Sequence, residues 1–352
     1  MIMGKIRIGT RESQLAIWQA TQVKELLAQY GFESELVFIK SEGDIDLVTP
    51  LYEIGVQGIF TRSLDAALLS NKIDVAVHSM KDVPVQLAKG IRQAAVLKRG
   101  SHKDILVPHP DLPDVKAILG QGVIEHVTIS GTGSAKTKDT TYENTGEKFD
   151  AIIATSSIRR IAQWLRRYRH HKIENLRGNV NTRLRKLKES NWHGAIFAAA
   201  GLERIGLRPD NAIDLDWMLP APAQGAIVVV CREDDDQTFE SCRVFNDEET
   251  ALCTKIERDF LSGLMGGCST PISAFAEVKN GNLSFKGNIV SPDSYHMAEC
   301  NFDYPLALAD PRIWKKLQKV RGPIQDLGFY AAKDILANGG QAIVERFKNA
   351  TK

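Results

Sequence analysis

Hydrophobic and polar positions alternate over Lys5 to Thr10. From Ser13 they shift to a helical spacing carried by Leu15, Ile17, Trp18, Val23, Leu26 and Leu27. The chain therefore opens with a strand that turns into a helix. A second alternating stretch, Glu35 to Lys40, predicts another strand, and Phe60 to Leu69 predicts a helix. The apolar run Ile73 to Val77 predicts a short buried strand ending at His78-Ser79-Met80-Lys81-Asp82. Strand and helix in this succession predict a mostly parallel sheet covered by helices.

The rhythm restarts at Ala151 to Ala154, an apolar strand followed by the N-cap chemistry of Thr155-Ser156-Ser157 and a helix through Trp164 and Leu165. Ile8-Gly9-Thr10-Arg11-Glu12-Ser13 and Ile153-Ala154-Thr155-Ser156-Ser157-Ile158 look like two versions of one strand-to-helix turn. Such turns lie at the carboxyl ends of strands, where ligands of open α/β sheets bind. Gly120 to Lys148 is rich in Gly, Thr, Ser and Lys with little apolar periodicity past Ile129, so much of it is expected to be a surface insertion without chemistry. Beyond Pro220, Gln224-Gly225-Ala226 leads into Ile227 to Val230, a buried strand expected to return to the first sheet. From about Asn246 a helix runs to Gly266-Gly267-Cys268, and alternating strands up to about Phe302 and a final helix complete a smaller α+β unit. The expected fold class is α/β in three domains: 1–104 with 226–245, then 105–225 with the insertion at about 120–148, then an α+β domain over 246–352.

At 352 residues the chain exceeds one ordinary core, and 43% hydrophobic with 25% charged residues is a globular composition. The start MIMGKIRIGT lacks the features of a secretory signal and no apolar run approaches the roughly 20 residues of a membrane span, so a cytoplasmic protein is expected. Cys231, Cys242, Cys253, Cys268 and Cys300 are widely spaced without a CxxC pair, which suggests neither a disulfide framework nor a metal site. A net charge of +2 argues against a general nucleic-acid binder. The distribution is less even: from Arg159 to Lys188 come Arg159, Arg160, Arg166, Arg167, Arg169, Lys172, Arg177, Arg183, Arg185, Lys186 and Lys188, opposed there only by Glu174.

Three places carry candidate chemistry. Lys81-Asp82 follows a buried strand; it is either a solvated turn or a carboxylate that holds a cationic nitrogen while the lysine keeps it ionised. The basic segment contains two helix starts, Thr155-Ser156-Ser157 before Arg159 and Arg160, and Gly178-Asn179-Val180-Asn181 between Arg177 and Arg183. Helix-start amides and guanidinium groups both favour an anion, such as a polycarboxylate or phosphate. Arg166, Arg167, Arg169, Lys186 and Lys188 are expected to form a solvated basic face. Cys268 follows two flexible glycines that can present its sulfur, although a lone cysteine is more often a core residue.

Together, in order, several segments resemble those of hydroxymethylbilane synthases over nearly the whole chain. They are Ile8 to Ser13, Val77-His78-Ser79-Met80-Lys81-Asp82-Val83-Pro84, Thr155 to Arg160, Leu176 to Leu184, Ala200-Gly201-Leu202, Pro222-Ala223-Gln224-Gly225-Ala226 and Gly266-Gly267-Cys268. The resemblance implies two domains like those of periplasmic ligand-binding proteins flanking a cleft, and a third domain bearing the cysteine. It implies that Cys268 forms a thioether to a dipyrromethane cofactor and that Asp82 is the catalytic carboxylate, contacting pyrrole nitrogens. Ser79, Lys81, Thr155, Ser157, Arg159, Arg160 and Arg183 look like groups that bind cofactor carboxylates; Arg11, Gln19, Arg177, Arg204 and Gln224 match substrate-binding positions. The implied transferase reaction deaminates porphobilinogen, joins four units head to tail on the primer and releases hydroxymethylbilane by hydrolysis. Each ring brings two carboxylates, which accounts for the arginine density. The implied partner is porphobilinogen, in a monomer without nucleic acid, membrane or metal.

Two other classes compete. A bilobal sensor of carboxylates needs neither Asp82 nor Cys268, and an RNA-binding protein would use the Arg159 to Lys188 segment, which lacks interleaved aromatics. The chain departs from the family pattern at Gln57, where lysine is usual, at Ser63, where glutamate is common, at Ala223, where glycine is usual, and in the length of the insertion.

Overall fold

The computed structural model describes residues 4–40, 61–112, 124–130, 135–143, 151–264, 270–306 and 326–350. Its first strand, β1 (Ile6–Thr10), leads to Ser13, whose side chain accepts a hydrogen bond from the Ala16 amide and caps helix α1 (Gln14–Gln29). Ala20, Val23 and Leu27 bury one stripe of α1 against Ile6, Ile8, Val75 and Val77. β2 (Ser34–Phe38) lies parallel to β1. After α2 (Arg62–Leu69), β3 (Val75–Ser79) lies parallel to β1 on its other side. β3 ends in a single 3-10 turn, Met80–Asp82, and β4 (Ile91–Val96) follows.

The chain then crosses to a second sheet. Its elements are β5 (Asp104–Pro108), a hairpin of β6 (Ile124–Ser130) and β7 (Ala135–Glu143), β8 (Ile152–Ala154), α3 (Ile158–Arg167) and β9 (Lys172–Glu174). α4 (Val180–Lys188), β10 (Gly194–Ala198), α5 (Ala199–Glu203) and β11 (Ile213–Asp214) complete the run. The second sheet has the order β11-β5-β10-β8-β9. β12 (Ile227–Arg232) returns between β3 and β4, giving the first sheet the order β2-β1-β3-β12-β4.

Both sheets are mixed, where the strand-helix rhythm predicts mostly parallel ones. β12 is antiparallel to β3 and β4, and β5 is antiparallel to β10 and β11. The cause is the double crossing. β3 runs toward the second unit and β12 comes back from it, so the two must oppose. The crossings touch where the Gly100 amide donates to the Gly225 carbonyl at 3.0 Å. Gly225 has φ +87°, and a Cβ there would stand 2.6 Å from the Ser101 carbonyl oxygen, so only glycine permits this approach.

The remaining chain forms α6 (Asp236–Arg243), α7 (Glu248–Gly263), β13 (Ile272–Lys279), β14 (Asn282–Val290), β15 (His296–Pro305), α8 (Leu327–Ile335) and α9 (Gln341–Ala350). The third sheet is antiparallel throughout, in the order β13-β14-β15-β7-β6. Phe260 of α7 and Phe285 and Tyr304 of the sheet lie at its buried core. The segment expected to be a surface insertion thus supplies two strands of this sheet: β7 pairs with β15 from Ala135 opposite Cys300 to Asp139 opposite His296. Edge pairing draws on backbone groups and on β-favouring residues such as Thr137, Thr140 and Thr141, and it needs no apolar alternation.

A second correction follows from the same packing. Arg166 donates to the carbonyls of Tyr295 and Lys138, and Arg169 donates to that of Asp293 and lies 3.8 Å over the Tyr295 ring. These two arginines of the expected solvated face instead join the second unit to the third, donating to carbonyls of the 293–295 turn. Among the described residues no helix is long and apolar enough to cross a membrane.

Candidate active site

β3 and β5 place charged groups where the two sheets face each other. Lys81 lies on the turn after β3, and Asp104 is the first residue of β5, fully buried. Gln224, on the returning crossing, joins them. Its Oε1 accepts from Lys81 Nζ at 3.2 Å, and its Nε2 donates to Asp104 Oδ1 at 3.0 Å and to the His102 carbonyl at 2.8 Å. From the first turn of α3, Arg159 Nη2 reaches Asp104 Oδ2 at 2.7 Å, while Arg160 reaches Oδ1 through Nε at 3.0 Å and Nη2 at 2.7 Å. Arg159 and Arg160 are also held by the carbonyls of Leu219 and Ile196.

Burial by itself would raise the Asp104 carboxyl, but Arg159, Arg160 and Lys81 outweigh it and hold the group well below the usual carboxylate range. Burial lowers Lys81 to about 8, with Arg160 and Arg159 adding to the effect and Asp82 and Asp104 opposing it. Arg183, on α4, is lowered to about 10 by burial, then by Arg160 and Arg177, against the pull of Asp82. Lys81 and Arg183 therefore both stand within electrostatic reach of Asp82 and Arg160, and Lys81 also of Asp104 and Arg159. Four cations against two carboxylates leave positive charge for an anionic ligand, and Asp82 presents its carboxylate at the exposed end of the turn.

The other sequence-predicted residues fall around this group. Gln19, buried on α1, donates to Ser79 Oγ at 2.8 Å. Burial and the charge of Arg11 push His78 down to about 4, so its imidazole is neutral, and its buried Nε2 has no hydrogen-bond partner among the described residues. Ser157 stands at the N-cap of α3, its amide donating to Thr155 Oγ1 at 3.3 Å. Asn179 caps α4 by accepting from the Thr182 amide at 2.9 Å, with Gly178 at φ +113° before it, and Arg177 is buried beside this turn. Arg204 donates to the Gly225 carbonyl at 2.6 Å and lies 5.6 Å from the centre of the Trp18 ring, so it spans the crossing. Ser79, Lys81, Thr155 and Ser157 lie at strand ends or the turns after them, Arg159, Arg160 and Arg183 in the first turns of α3 and α4, Gln19 within α1, and Gln224 on the returning crossing. Cys268, with Gly266 and Gly267, and Gln57, with its loop 55–58, lie outside the described residues.

Buried cations gathered around one bridging carboxylate, with a second carboxylate displayed beside them, suit a polyanionic ligand. Comparison with known proteins decides the matter. Residues 6–240 match the family profile described as "Porphobilinogen deaminase, dipyromethane cofactor binding domain", and residues 251–307 match the C-terminal domain of porphobilinogen deaminase. The chain belongs to the porphobilinogen deaminase family. The porphobilinogen deaminase of Acidithiobacillus ferrooxidans is 34% identical over 352 residues, covering 98% of this chain and 99% of that one. The chloroplastic enzyme of Oryza sativa subsp. japonica is 40% identical over 297 residues, 82% of this chain and 75% of its own. A probable porphobilinogen deaminase of Methanocaldococcus jannaschii is 38% identical over 306 residues, 85% and 94% of the two chains. Family membership brings the activity, porphobilinogen deamination in tetrapyrrole biosynthesis, and a dipyrromethane cofactor. A ligand-binding component of an import system from Staphylococcus aureus aligns with a TM-score of 0.34 at 16% identity, covering 75% of each chain, a likeness too low to carry any argument.

The resemblance drawn above implies a cofactor held through a thiol. Cys231, Cys242, Cys253 and Cys300 are all buried. Burial raises each thiol, Cys253 to about 12, so these four are poor nucleophiles. The segment after Cys268 is tied to the cation cluster: Gln163 Nε2 bridges Ser273 Oγ and the Leu219 carbonyl, which also accepts from Arg159, and the Ala274 amide donates to the Pro220 carbonyl. Sequence reading missed Asp104, whose only signal is a carboxylate at the head of a wholly apolar strand. It also missed the buried pair Arg99 and Glu257, linked at 2.6 Å. Ala223, where the family pattern has glycine, adopts φ +61°, a left-handed conformation that costs an alanine about 1 kcal/mol or more.

Proposed function

We propose that Asp82 is the catalytic carboxylate and that Cys268 carries the dipyrromethane through a thioether. The observation that carries this reading is the joining of Lys81 to Asp104 through Gln224, which brings Arg159 and Arg160 to the turn that displays Asp82. The donor set fits the cofactor, because a dipyrromethane bears four carboxylates and the cleft holds surplus positive charge. Ser79, Lys81, Thr155, Ser157, Arg159, Arg160 and Arg183 would hold it. When bound, it supplies a nucleophilic pyrrole carbon and an anchor for the product chain.

The chain's own residues then do three things. Lys81, Arg159, Arg160 and Arg183 bind carboxylates by charge-assisted hydrogen bonds. Arg11, Gln19, Arg177 and Arg204 place porphobilinogen, and Gln224 fixes the position of Lys81. Asp82 stabilises the cationic pyrrole formed as ammonia leaves porphobilinogen, and accepts a proton on its carboxylate oxygen when the new ring regains aromaticity. Four porphobilinogens are joined head to tail and released as hydroxymethylbilane by hydrolysis.

Chain connectivity supports the role of Cys268: it lies five positions before Ser273, a reach of at most about 18 Å from the cation cluster's edge. The domains of this reading are 1–104 with 226–245, 105–225, and 246–352 with the β6–β7 hairpin added to its sheet. The family resemblance points to a monomer, and the four free thiols among the described residues are consistent with the cytoplasm. Turnover by Asp82→Asn tests the reading. The variant keeps shape and loses charge, and a loss of about 100- to 1,000-fold is expected; a rate within about threefold of wild type, less than the ~1.4 kcal/mol of a tenfold change, would remove Asp82 from this role.

A further inference from the structure

Asp82 ends a turn of three residues, and so short a turn does not by itself fix a carboxylate. At its start the Met80 amide donates to the Ala226 carbonyl at 3.0 Å, tying the turn to the return strand. Past Asp82 the chain runs Val83-Pro84-Val85 outside any sheet. There one side chain from the third unit takes over. Arg258 of α7 donates through Nη1 to the carbonyls of Met80 at 3.2 Å and Val83 at 2.9 Å, and through Nη2 to those of Pro84 at 2.6 Å and Val85 at 3.2 Å. One guanidinium thus grips the backbone on both sides of Asp82. Between the turn and α7 lies a cavity of about 520 Å³, lined in part by Met80, Val83, Leu252 and Arg258. Met80 and Val83 are buried in the first unit's core, and the Arg258 fork adds hydrogen bonds to that packing on the side facing α7. A planar fork with five donors and a permanent charge suits four carbonyls, as an ammonium does not.

We infer that Arg258 is a positioning residue for the reaction: through the 80–85 backbone it holds the Asp82 carboxylate in register with the cation cluster. The inference rests on the reading of Asp82 as catalytic. It also gives α7 two tasks, since the helix that clamps this turn leads directly into the segment bearing Cys268.

A double-mutant cycle on the full-length enzyme tests this, with addition of the first ring followed by mass spectrometry. Arg258→Lys keeps the charge and loses the fork. A catalytic group misplaced by about 1 Å can cost about 100-fold, so kcat should fall by roughly 10- to 100-fold with KM nearly unchanged and the primer mass retained. In the Asp82→Asn background the same change should alter the residual rate by less than about twofold, because coupled residues are non-additive. An equal loss in both backgrounds would mean a general structural role and overturn the inference, as would a folded Arg258→Lys enzyme with wild-type kcat. If Arg258→Lys does not fold, Arg258→Gln takes its place in the cycle under the same criteria. Near-normal turnover by Asp82→Asn alone would instead sink the catalytic reading, and the inference with it.

Discussion

Lys81 and Asp104, which stand on different sheets, are bridged by the amide of Gln224, 3.2 Å from the first and 3.0 Å from the second. The bridge crosses from the turn that carries Asp82 to the carboxylate that anchors Arg159 and Arg160. It links the two halves of the cation cluster.

Gln224→Leu should therefore weaken binding and folding together. The change removes hydrogen bonds to charged partners, each contributing about 1.5 to 3 kcal/mol. We expect kcat/KM for porphobilinogen to fall by at least about tenfold, the equivalent of ~1.4 kcal/mol, with a lower Tm. Steady-state kinetics and thermal denaturation check both; a variant unchanged in either would show that the bridge is incidental.

Lys81 gives a pH signature. Its pKa is lowered to about 8 in the fold, while an unfolded lysine titrates near about 10.4. The unfolded chain thus binds more protons between about 8 and 10.4, and this site's contribution to stability rises with pH across that window. Charge for binding carboxylates is lost over the same range. Priming of cofactor-free enzyme by porphobilinogen should slow above about pH 8, and Lys81→Arg, which stays charged, should shift that decline to higher pH. An identical pH profile in the two proteins would exclude Lys81 as its source.

Glu257 is fully buried and accepts from both Arg99 Nη atoms, at 2.6 and 3.1 Å, and from the amides of Ala223 and Ala276, at 2.6 and 2.7 Å. It pins the returning crossing and the third sheet to one point. Glu257→Gln leaves the Arg99 guanidinium without its counter-charge, and breaking a buried pair from one side costs about 3 to 5 kcal/mol. Denaturant unfolding should register that loss, whereas a change under about 1 kcal/mol would place the pair among surface-like ion pairs.

Much of this was legible in the sequence because it is local. The Ser13 cap, the β3 strand ending at Lys81-Asp82 and the helix starts before Arg159 and Arg183 all depend on neighbours a few residues away. Long-range pairing was not legible. Asp104 meets Arg159 and Arg160 across 55 and 56 residues, and Arg258 meets Met80 across 178, distances over which periodicity carries no information. The β6–β7 hairpin was read as an insertion because its partner strand, β15, lies more than a hundred residues downstream. Arg166 and Arg169 were read as solvated because helix periodicity cannot show that the 293–295 turn covers them.

The central claim is that Cys268 alone carries a covalent dipyrromethane. A thioether survives denaturation and mild reductants, so the intact mass of denatured enzyme from cells that make porphobilinogen tests it most directly. The protein should be heavier than its sequence by one dipyrromethane, with the extra mass on the peptide containing Cys268. Cys268→Ser should fold, lack that mass and make no tetrapyrrole, while Cys231→Ser, Cys242→Ser, Cys253→Ser and Cys300→Ser should each keep it if they fold. A protein of bare sequence mass, or an adduct on any other cysteine, would contradict the account.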